Sequence, residues 1–291
     1  MKELTNAFYG VLGSPHYRLH NDDIQGAITY SARMLIEYVK NFLIARDYKV
    51  LYGDTDSIFF EKKTNETVQD LQTLCTQVND SLDHFTQTFG VPHNDGIIQL
   101  EFEAILDKWF QPGVKKKYYG RYAWKDAHAV DVCTNDMKIR GFEARRSNTS
   151  FYTKIKQKEL MIISFNGTQA VNQWVMIEEK RWNTHAIDIQ SIALNTAVKR
   201  DLDYKTNTQV LKAIHNSQQQ SLQLDVKLGK VKIYFVKGIG EIAIGFDDDL
   251  PTQYIKKLDW EEHKRRCFDL PMGKIIQFFK VKPMDSWIVT Q

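Results

Sequence analysis

The sequence predicts an α+β fold: an antiparallel sheet with helices packed on it, followed by a mainly helical region. Three observations carry that expectation. Apolar residues recur at helical spacing from Asp22 to about Arg46, two short runs of β-forming residues flank Gly53-Asp54-Thr55-Asp56, and helical patterns take over beyond about Asn148.

Taken in order, the first long helix sets Ile24, Ala27, Ile28, Leu35, Tyr38, Val39 and Phe42 on one face. Asp22 with Gln25 three residues on predicts a capping box at its start. Lys49–Tyr52 and Ser57–Phe60 read as strands of a hairpin with a tight turn. A second helix is expected over Thr67–Phe89, stopping near Gly90 and Pro92. Gly96–Leu106 and Lys116–Trp124 then have the strand pattern. Further on, Asn216-Ser-Gln-Gln-Gln-Ser221 reads as a polar linker, and a strand pair over Lys230–Lys237 and Glu241–Phe246 interrupts the helices. The change of pattern puts a domain boundary near residue 147.

The chain has 291 residues, 43% of them hydrophobic and 26% charged, enough to bury a core in one large domain or two smaller ones. No stretch approaches the roughly 20 apolar residues of a membrane span, and the amino terminus lacks the apolar run of a signal peptide. A soluble chain with no membrane partner is expected, located in the cytoplasm. Cys75, Cys133 and Cys267 are far apart and form no C-x-x-C pair, so buried free thiols are expected rather than a zinc site or disulfides.

A net charge of +3 is too small to mark a nucleic-acid binder, so local distribution matters more. Lys115, Lys116, Lys117, Arg121 and Lys125 occur without an intervening acid and interleave with Tyr118, Tyr119, Tyr122 and Trp124. Lys138, Arg140, Arg145 and Arg146 follow, opposed only by Glu143. Such runs form either solvated faces or a groove that follows phosphates, and composition leaves both open.

Asp54 and Asp56, two residues apart at a hairpin tip, can direct both carboxylates to one side. Mg²⁺ takes oxygen ligands and is held by one or two carboxylates plus substrate phosphates. Two such ions roughly 3.5–4 Å apart can stabilise both attacking and leaving oxygens. An isolated D-x-D turn more often supplies only local backbone hydrogen bonds, so the flanking residues decide. Lys2, Asn6 and Tyr9 fall at i, i+4 and i+7, on one face of a helix. A lysine there can neutralise triphosphate charge, and an amide and a ring can cover a base pair. The plainer reading is an ordinary amphipathic helix end.

The flanking residues resemble those of family B DNA polymerases. Tyr52-Gly-Asp-Thr-Asp-Ser57 is similar to the family's third polymerase motif, and Lys2-Glu-Leu-Thr-Asn6-Ala-Phe-Tyr9-Gly10 to its second. Lys115-Lys-Lys-Tyr118 resembles the K-K-K/R-Y motif. Arg140-Gly-Phe-Glu143 with Arg146-Ser-Asn148 resembles the segment joining palm to thumb, with Asn148 in place of the usual aspartate. The four motifs occur in the family's order and spacing over residues 1–148, and Gly229-Lys-Val-Lys-Ile-Tyr234 extends the resemblance weakly.

The resemblance implies a fingers-helix end at 1–13, a palm at 14–147 and a thumb at 148–291. It implies two-metal nucleotidyl transfer from a dNTP to a primer 3′ end, with Asp54 and Asp56 as catalytic metal ligands and Glu101 and Glu103 as further candidates. The ions would be two Mg²⁺, with Mn²⁺ as a substitute. Lys2 would meet the nucleotide's phosphates, and Asn6, Tyr9 and Gly10 the nascent pair. Thr55, Lys115, Lys116, Lys117, Tyr118, Arg121, Arg140 and Arg146 would contact primer–template DNA, positioning it without reading sequence.

Nothing in the sequence resembles the family's first motif, D-x-x-S-L-Y-P-S, or its proofreading exonuclease. A second polypeptide supplying motif A, the fingers and the exonuclease is therefore expected, and a sliding clamp is a further partner the resemblance implies. A truncated gene or a decayed relic are the competing explanations. From other classes, a non-catalytic duplex-binding processivity module would use the Lys115–Lys125 stripe alone. An unrelated metal phosphohydrolase lacks the histidine cluster that would accompany the carboxylates.

Overall fold

The computed structural model describes residues 2–54, 56–96, 98–199, 206, 208–222, 224 and 229–279, residues 2–6 by their backbone alone. The chain divides into two compact units, residues 1–104 and 105–291. Antiparallel sheets and helices make up both, in the α+β class expected.

In the first unit, helix α1 (Lys2–Leu12) leads to helix α2 (Asp22–Ile44). The cap of α2 lies one residue earlier than expected. Asn21, in extended backbone, accepts the Ile24 N–H at 3.0 Å, so neither Asp22 nor Gln25 is needed to satisfy the first turn. Strands β1 (Val50–Asp54) and β2 (Ser57–Phe60) form the hairpin, paired Asp54 to Ser57, Gly53 to Ile58 and Tyr52 to Phe59. A register shift between Val50 and Tyr52 makes Leu51 the extra residue of a bulge, which bends the strand.

The single helix expected over Thr67–Phe89 is two, α3 (Val68–Asp80) and α4 (Leu82–Gln87). Thr67 and Asp70 form a reciprocal capping box at the start of α3. Leu71, Leu74, Val78, Leu82 and Phe85 supply the buried side of this pair.

The strand expected over Gly96–Leu106 begins only at Ala104. Side-chain amides occupy the peptide groups ahead of it. Asn94 bonds the Ile98 N–H at 2.8 Å and carbonyl at 2.6 Å, and Asn79 bonds those of Leu100 at 2.8 and 2.9 Å. A ladder partner would find those groups already taken.

The second unit begins with β3 (Ala104–Phe110), β4 (Tyr118–Lys125), β5 (His128–Ala129) and β6 (Met137–Arg140), in which β4 pairs with each of the others. Helices α5 (Phe151–Ser164) and α6 (Thr168–Asn183) follow. A three-stranded antiparallel sheet follows, of β7 (Leu194–Ala197), β8 (Lys230–Val236) and β9 (Gly240–Gly245). The strand pair was expected, whereas β7 was not. Helix α7 (Gln209–Gln219) packs on β9 and contains most of the segment read as a linker. Its Ser217 is wholly buried and its hydroxyl bonds both the N–H and the carbonyl of Ala243, which makes a polar residue a packing residue. Short helices α8 (Thr252–Ile255) and α9 (Trp260–Lys264), a π-type turn at Arg265–Asp269 and α10 (Leu270–Ile276) close the unit.

One core joins residues on both sides of 147: Tyr119, Met137 and Phe142 share it with Leu160, Trp174, Tyr234, Phe268 and Met272. Tyr119 stacks on Phe110 with ring centres 4.8 Å apart, and its hydroxyl meets Ser164 Oγ at 2.7 Å. Of the three thiols expected to be buried, Cys267 is buried, Cys75 half-buried and Cys133 exposed.

Candidate functional site

The first candidate lies in residues 1–104. Two residues, Thr55 and Asp56, connect β1 to β2, and Thr55 lies outside the described residues. Asp54 is buried at the end of β1, and Asp56 is exposed in the turn. The Asp56 N–H and the Ser57 hydroxyl, at 3.3 Å, both point to the Asp54 carbonyl, which closes the turn. Gly53 lies beside α2, where a Cβ would make ordinary contact with Ile36 Cγ2 at 3.8 Å.

Among the described residues no three His, Cys, Asp or Glu side chains converge as a metal-holding group. Glu101 and Glu103 are exposed in the segment before β3, and neither joins the two aspartates as a third ligand. Glu101 instead lies near Cys75, whose thiol is pushed up first by burial and then by that carboxylate. On α1, Tyr9 is half-buried and Gly10 exposed, with open space where a Cβ would stand. The side chains of Lys2 and Asn6 lie outside the described residues.

The second candidate lies in residues 105–291. Strands β4 and β6 pair Tyr118 with Arg140, Tyr119 with Ile139, Gly120 with Lys138 and Arg121 with Met137. The two basic segments read separately in the sequence are thus neighbours across one ladder. Lys115, Lys116 and Arg140 are exposed, and Lys117 is half-buried.

The interleaved aromatics behave otherwise than expected. Tyr118, Tyr119 and Tyr122 are buried, and Tyr118, 2% exposed, packs on Trp109 with ring centres 4.9 Å apart. A ring so covered supports the strand rather than presenting a face to DNA. Arg121 is also occupied: its guanidinium forks onto both oxygens of Asp107, Nε to Oδ1 at 3.0 Å. That hydrogen bond strengthens its hold on the proton, and with both carboxylate oxygens engaged the group is a cross-strand clamp.

Sequence reading missed the network under Arg146. Glu143 is buried and meets Lys274, Gln157 Nε2 at 3.0 Å and Arg146 at 3.7 Å. Burial works to raise the Glu143 carboxyl, but the hydrogen bonds from Lys274 and Gln157 outweigh it and hold the group below the usual range. Lys274 is 131 residues away in sequence, and no local pattern could have announced it.

Comparison with known proteins adds the following. The family model described as DNA polymerase family B matches residues 1–238. DNA polymerase II of Escherichia coli is 26% identical over 176 residues, 57% of this chain and 21% of that protein. A DNA polymerase of Archaeoglobus fulgidus is 24% identical over 264 residues, 90% of this chain and 30% of that one. DNA polymerase 1 of Sulfolobus acidocaldarius is 27% identical over 168 residues, 57% of this chain and 16% of that one. The solved family B DNA polymerase of the archaeon Pyrobaculum calidifontis shares the fold, with a TM-score of 0.57 at 17% identity over 93% of this chain and 32% of that chain. The chain therefore spans less than a third of the length of these relatives.

Proposed function

Because the chain belongs to DNA polymerase family B, we propose that it is a palm and thumb part of a DNA-dependent DNA polymerase. In this reading residues 1–13 close the fingers helix, 14–147 make the palm and 148–291 the thumb. The observation that carries it is the hairpin turn itself. It sets Asp54, buried at the end of β1, and Asp56, exposed in the turn, two residues apart at one hairpin tip, where both carboxylates can serve one cation site.

The reaction is attack of a primer 3′ oxygen on the α-phosphorus of a dNTP, with loss of pyrophosphate. Carboxylate oxygens suit a hard cation such as Mg²⁺, or Mn²⁺ in its place, and Asp54 and Asp56 would hold it. When bound, the ions supply charge neutralisation at the attacking and leaving oxygens. Lys2 screens the triphosphate, and Asn6, Tyr9 and the open surface over Gly10 face the nascent pair. Lys115, Lys116, Lys117, Arg140 and Arg146 contact phosphates of primer and template, and Thr55 is a further DNA contact.

Two carboxylates are fewer than a two-ion site uses, so a further polymerase polypeptide bearing the first motif supplies the remaining ligand. The apolar surface of the first unit supports this part of the reading. Phe8, Ile24, Ile28 and Met34 are 55%, 48%, 43% and 41% exposed, more than single scattered residues require.

Primer extension with Mg²⁺ tests both parts. The chain alone is expected to add no nucleotide, and the chain with the complementing polypeptide to extend the primer. In the complemented enzyme Asp56→Ala should lower extension by at least about a hundredfold while DNA affinity stays near that of the wild type. Activity of that variant within about tenfold of wild type would remove Asp56 from the metal site. Robust extension by the chain alone would remove the partner.

A further inference from the structure

Residues 105–291 contain a buried carboxylate that two cations share unequally. Glu143 opens a short helical turn, Glu143–Arg145, between β6 and α5, and its side chain is enclosed. Lys274 Nζ donates to its Oε1, and Gln157 Nε2 donates to Oε2 at 3.0 Å. Arg146 Nη1 stands 3.7 Å from the same Oε1. That gap is too long for a hydrogen bond but short enough for attraction between the charges. A lysine from a distant helix thus holds the oxygen, and the nearby arginine stays exposed.

The fold brings that lysine to the carboxylate. Helix α10 buries Pro271, Met272, Ile275 and Ile276, so the core fixes the helix that carries Lys274. The Pro271 carbonyl accepts from Gln157 at 2.9 Å, and Gln157 accepts the Ala144 N–H at 2.7 Å. Helix α10 therefore meets the Glu143 turn at two points, one through Gln157 and one through Lys274.

A buried carboxylate left without a cation is strongly destabilising. Among the described residues, Lys274 and Arg146 are the two cations that pair with Glu143. Without Lys274 the charge falls to Arg146, which sits three residues on and has only a short gap to close. A guanidinium forked onto Glu143 would have fewer N–H groups free and a neutralised charge, so it would be a poor phosphate ligand.

We propose that Lys274 is a positioning residue for the grip on DNA: by neutralising Glu143 it keeps the Arg146 guanidinium free to meet a phosphate. The inference rests on the reading that Arg146 contacts primer and template, and adds to it a residue of α10 that touches no DNA. Lys274 is itself half-buried, with its ammonium engaged by Glu143. Its effect on DNA therefore passes through the carboxylate, and removing the carboxylate should make the lysine dispensable.

The test is fluorescence anisotropy of the full chain with a labelled duplex carrying a template overhang, over a salt series. Arg146→Ala is expected to lower the slope of log K against log salt by about one in magnitude, the contribution of one phosphate. Lys274→Met, which keeps an apolar stem, should lower it by the same amount, and Arg146→Ala added to it should lower it no further. Glu143→Gln added to Lys274→Met should restore the wild-type slope, because a neutral amide does not draw Arg146 inward. In that double variant Arg146→Ala should again lower the slope by about one.

A Lys274→Met chain with a lower melting temperature but the wild-type slope overturns the proposal and makes Lys274 a structural tie alone. A fall in slope that Glu143→Gln does not restore also overturns it, because Lys274 then acts on DNA by a route other than Glu143. An unchanged slope in Arg146→Ala removes Arg146 from the DNA face and the proposal with it, while a lower slope in K117A/R140A would leave DNA binding standing. A wild-type chain that binds no duplex fails the underlying reading, and the proposal with it.

Discussion

Gly141 approaches Lys116 so closely that a Cβ on it would stand 2.2 Å from the Lys116 carbonyl oxygen. Both residues have left-handed backbone, φ +77° at Gly141 and +59° at Lys116. The approach joins two segments that stand apart in the sequence. Lys115-Lys-Lys-Tyr118 and Arg140-Gly-Phe-Glu143 meet at one end of the β4–β6 strand pair, and the glycine lets their backbones close beside the exposed Lys115, Lys116 and Arg140.

Substituting that glycine should therefore be costly. Gly141→Ala adds a clash with backbone, which cannot swing aside, to the strain of a positive φ. Gly113→Ala is the control, with φ +75° but nothing within 4 Å of its Cβ. The control should lose about 1 kcal/mol in urea unfolding, and Gly141→Ala about 2–3 kcal/mol or more. Equal losses at the two sites would mean that the Lys116 approach carries no weight.

Arg121 and Arg140 separate a clamp from a phosphate contact. Arg121→Ala should lower stability by about 0.5–1 kcal/mol, the ordinary worth of an accessible pair in good geometry, and leave the salt slope of DNA binding unaltered. Arg140→Ala should do the reverse, lowering the slope by about one with little loss of stability. Exchanged phenotypes would show that the Asp107 fork opens to admit DNA.

How far the sequence was legible depended on where the partners lie. Hairpin β1–β2, helix α2 and strands β4, β8 and β9 were readable because their side chains repeat at the period of the element and their turns carry Gly or Asp. The segment ahead of Ala104 has a strand's composition, yet Asn79 and Asn94 occupy its backbone, a tertiary fact with no local trace. The packing of Tyr118 was illegible for a related reason: an aromatic beside lysines reads as a stacking surface until Trp109 is seen against it.

His263 predicts how stability responds to pH. Its ring is wholly enclosed, and Nε2 accepts the Phe235 N–H at 3.0 Å, which puts the proton on Nδ1. Nδ1 has no hydrogen bond of good geometry, with the Ile192 backbone on that side. Burial holds the imidazole neutral and lowers its pKa to about 4. The unfolded chain, titrating near 6.5, binds the proton first. The contribution is therefore full above about pH 6.5, declines as pH falls and is lost below about 4. It amounts to about 3 kcal/mol across that window. Urea midpoints from pH 7.5 to 4 should decline for wild type and flatten for His263→Gln relative to its own value at pH 7.5. A parallel decline in the two would assign the dependence to carboxylates such as Glu143.

The last expectation concerns what covers the first unit. Helix α2 carries apolar residues on one face along its whole length, but only Val39 and Leu43, in its second half, are buried. Ile24 and Ile28, in its first half, and Met34, just past its middle, remain exposed, as does Phe8 on α1. An eleven-residue helix such as α1 is marginal by itself and depends on packing for its stability. If a complementing polymerase polypeptide packs here, it joins two parts of one core, and the contact should be apolar and large, on the order of 2,000 Å² or more. Hydrogen exchange on the chain, with and without that polypeptide, gives the measurement. Residues 2–13, the first half of α2 and residues 50–60 should gain the most protection, because those amides lie under the exposed apolar face or in the carboxylate hairpin. Protection confined to residues 105–279 would place the partner elsewhere. Equally slow exchange of residues 2–60 without any partner would make the first unit self-sufficient and favour a DNA-binding module over a shared active site.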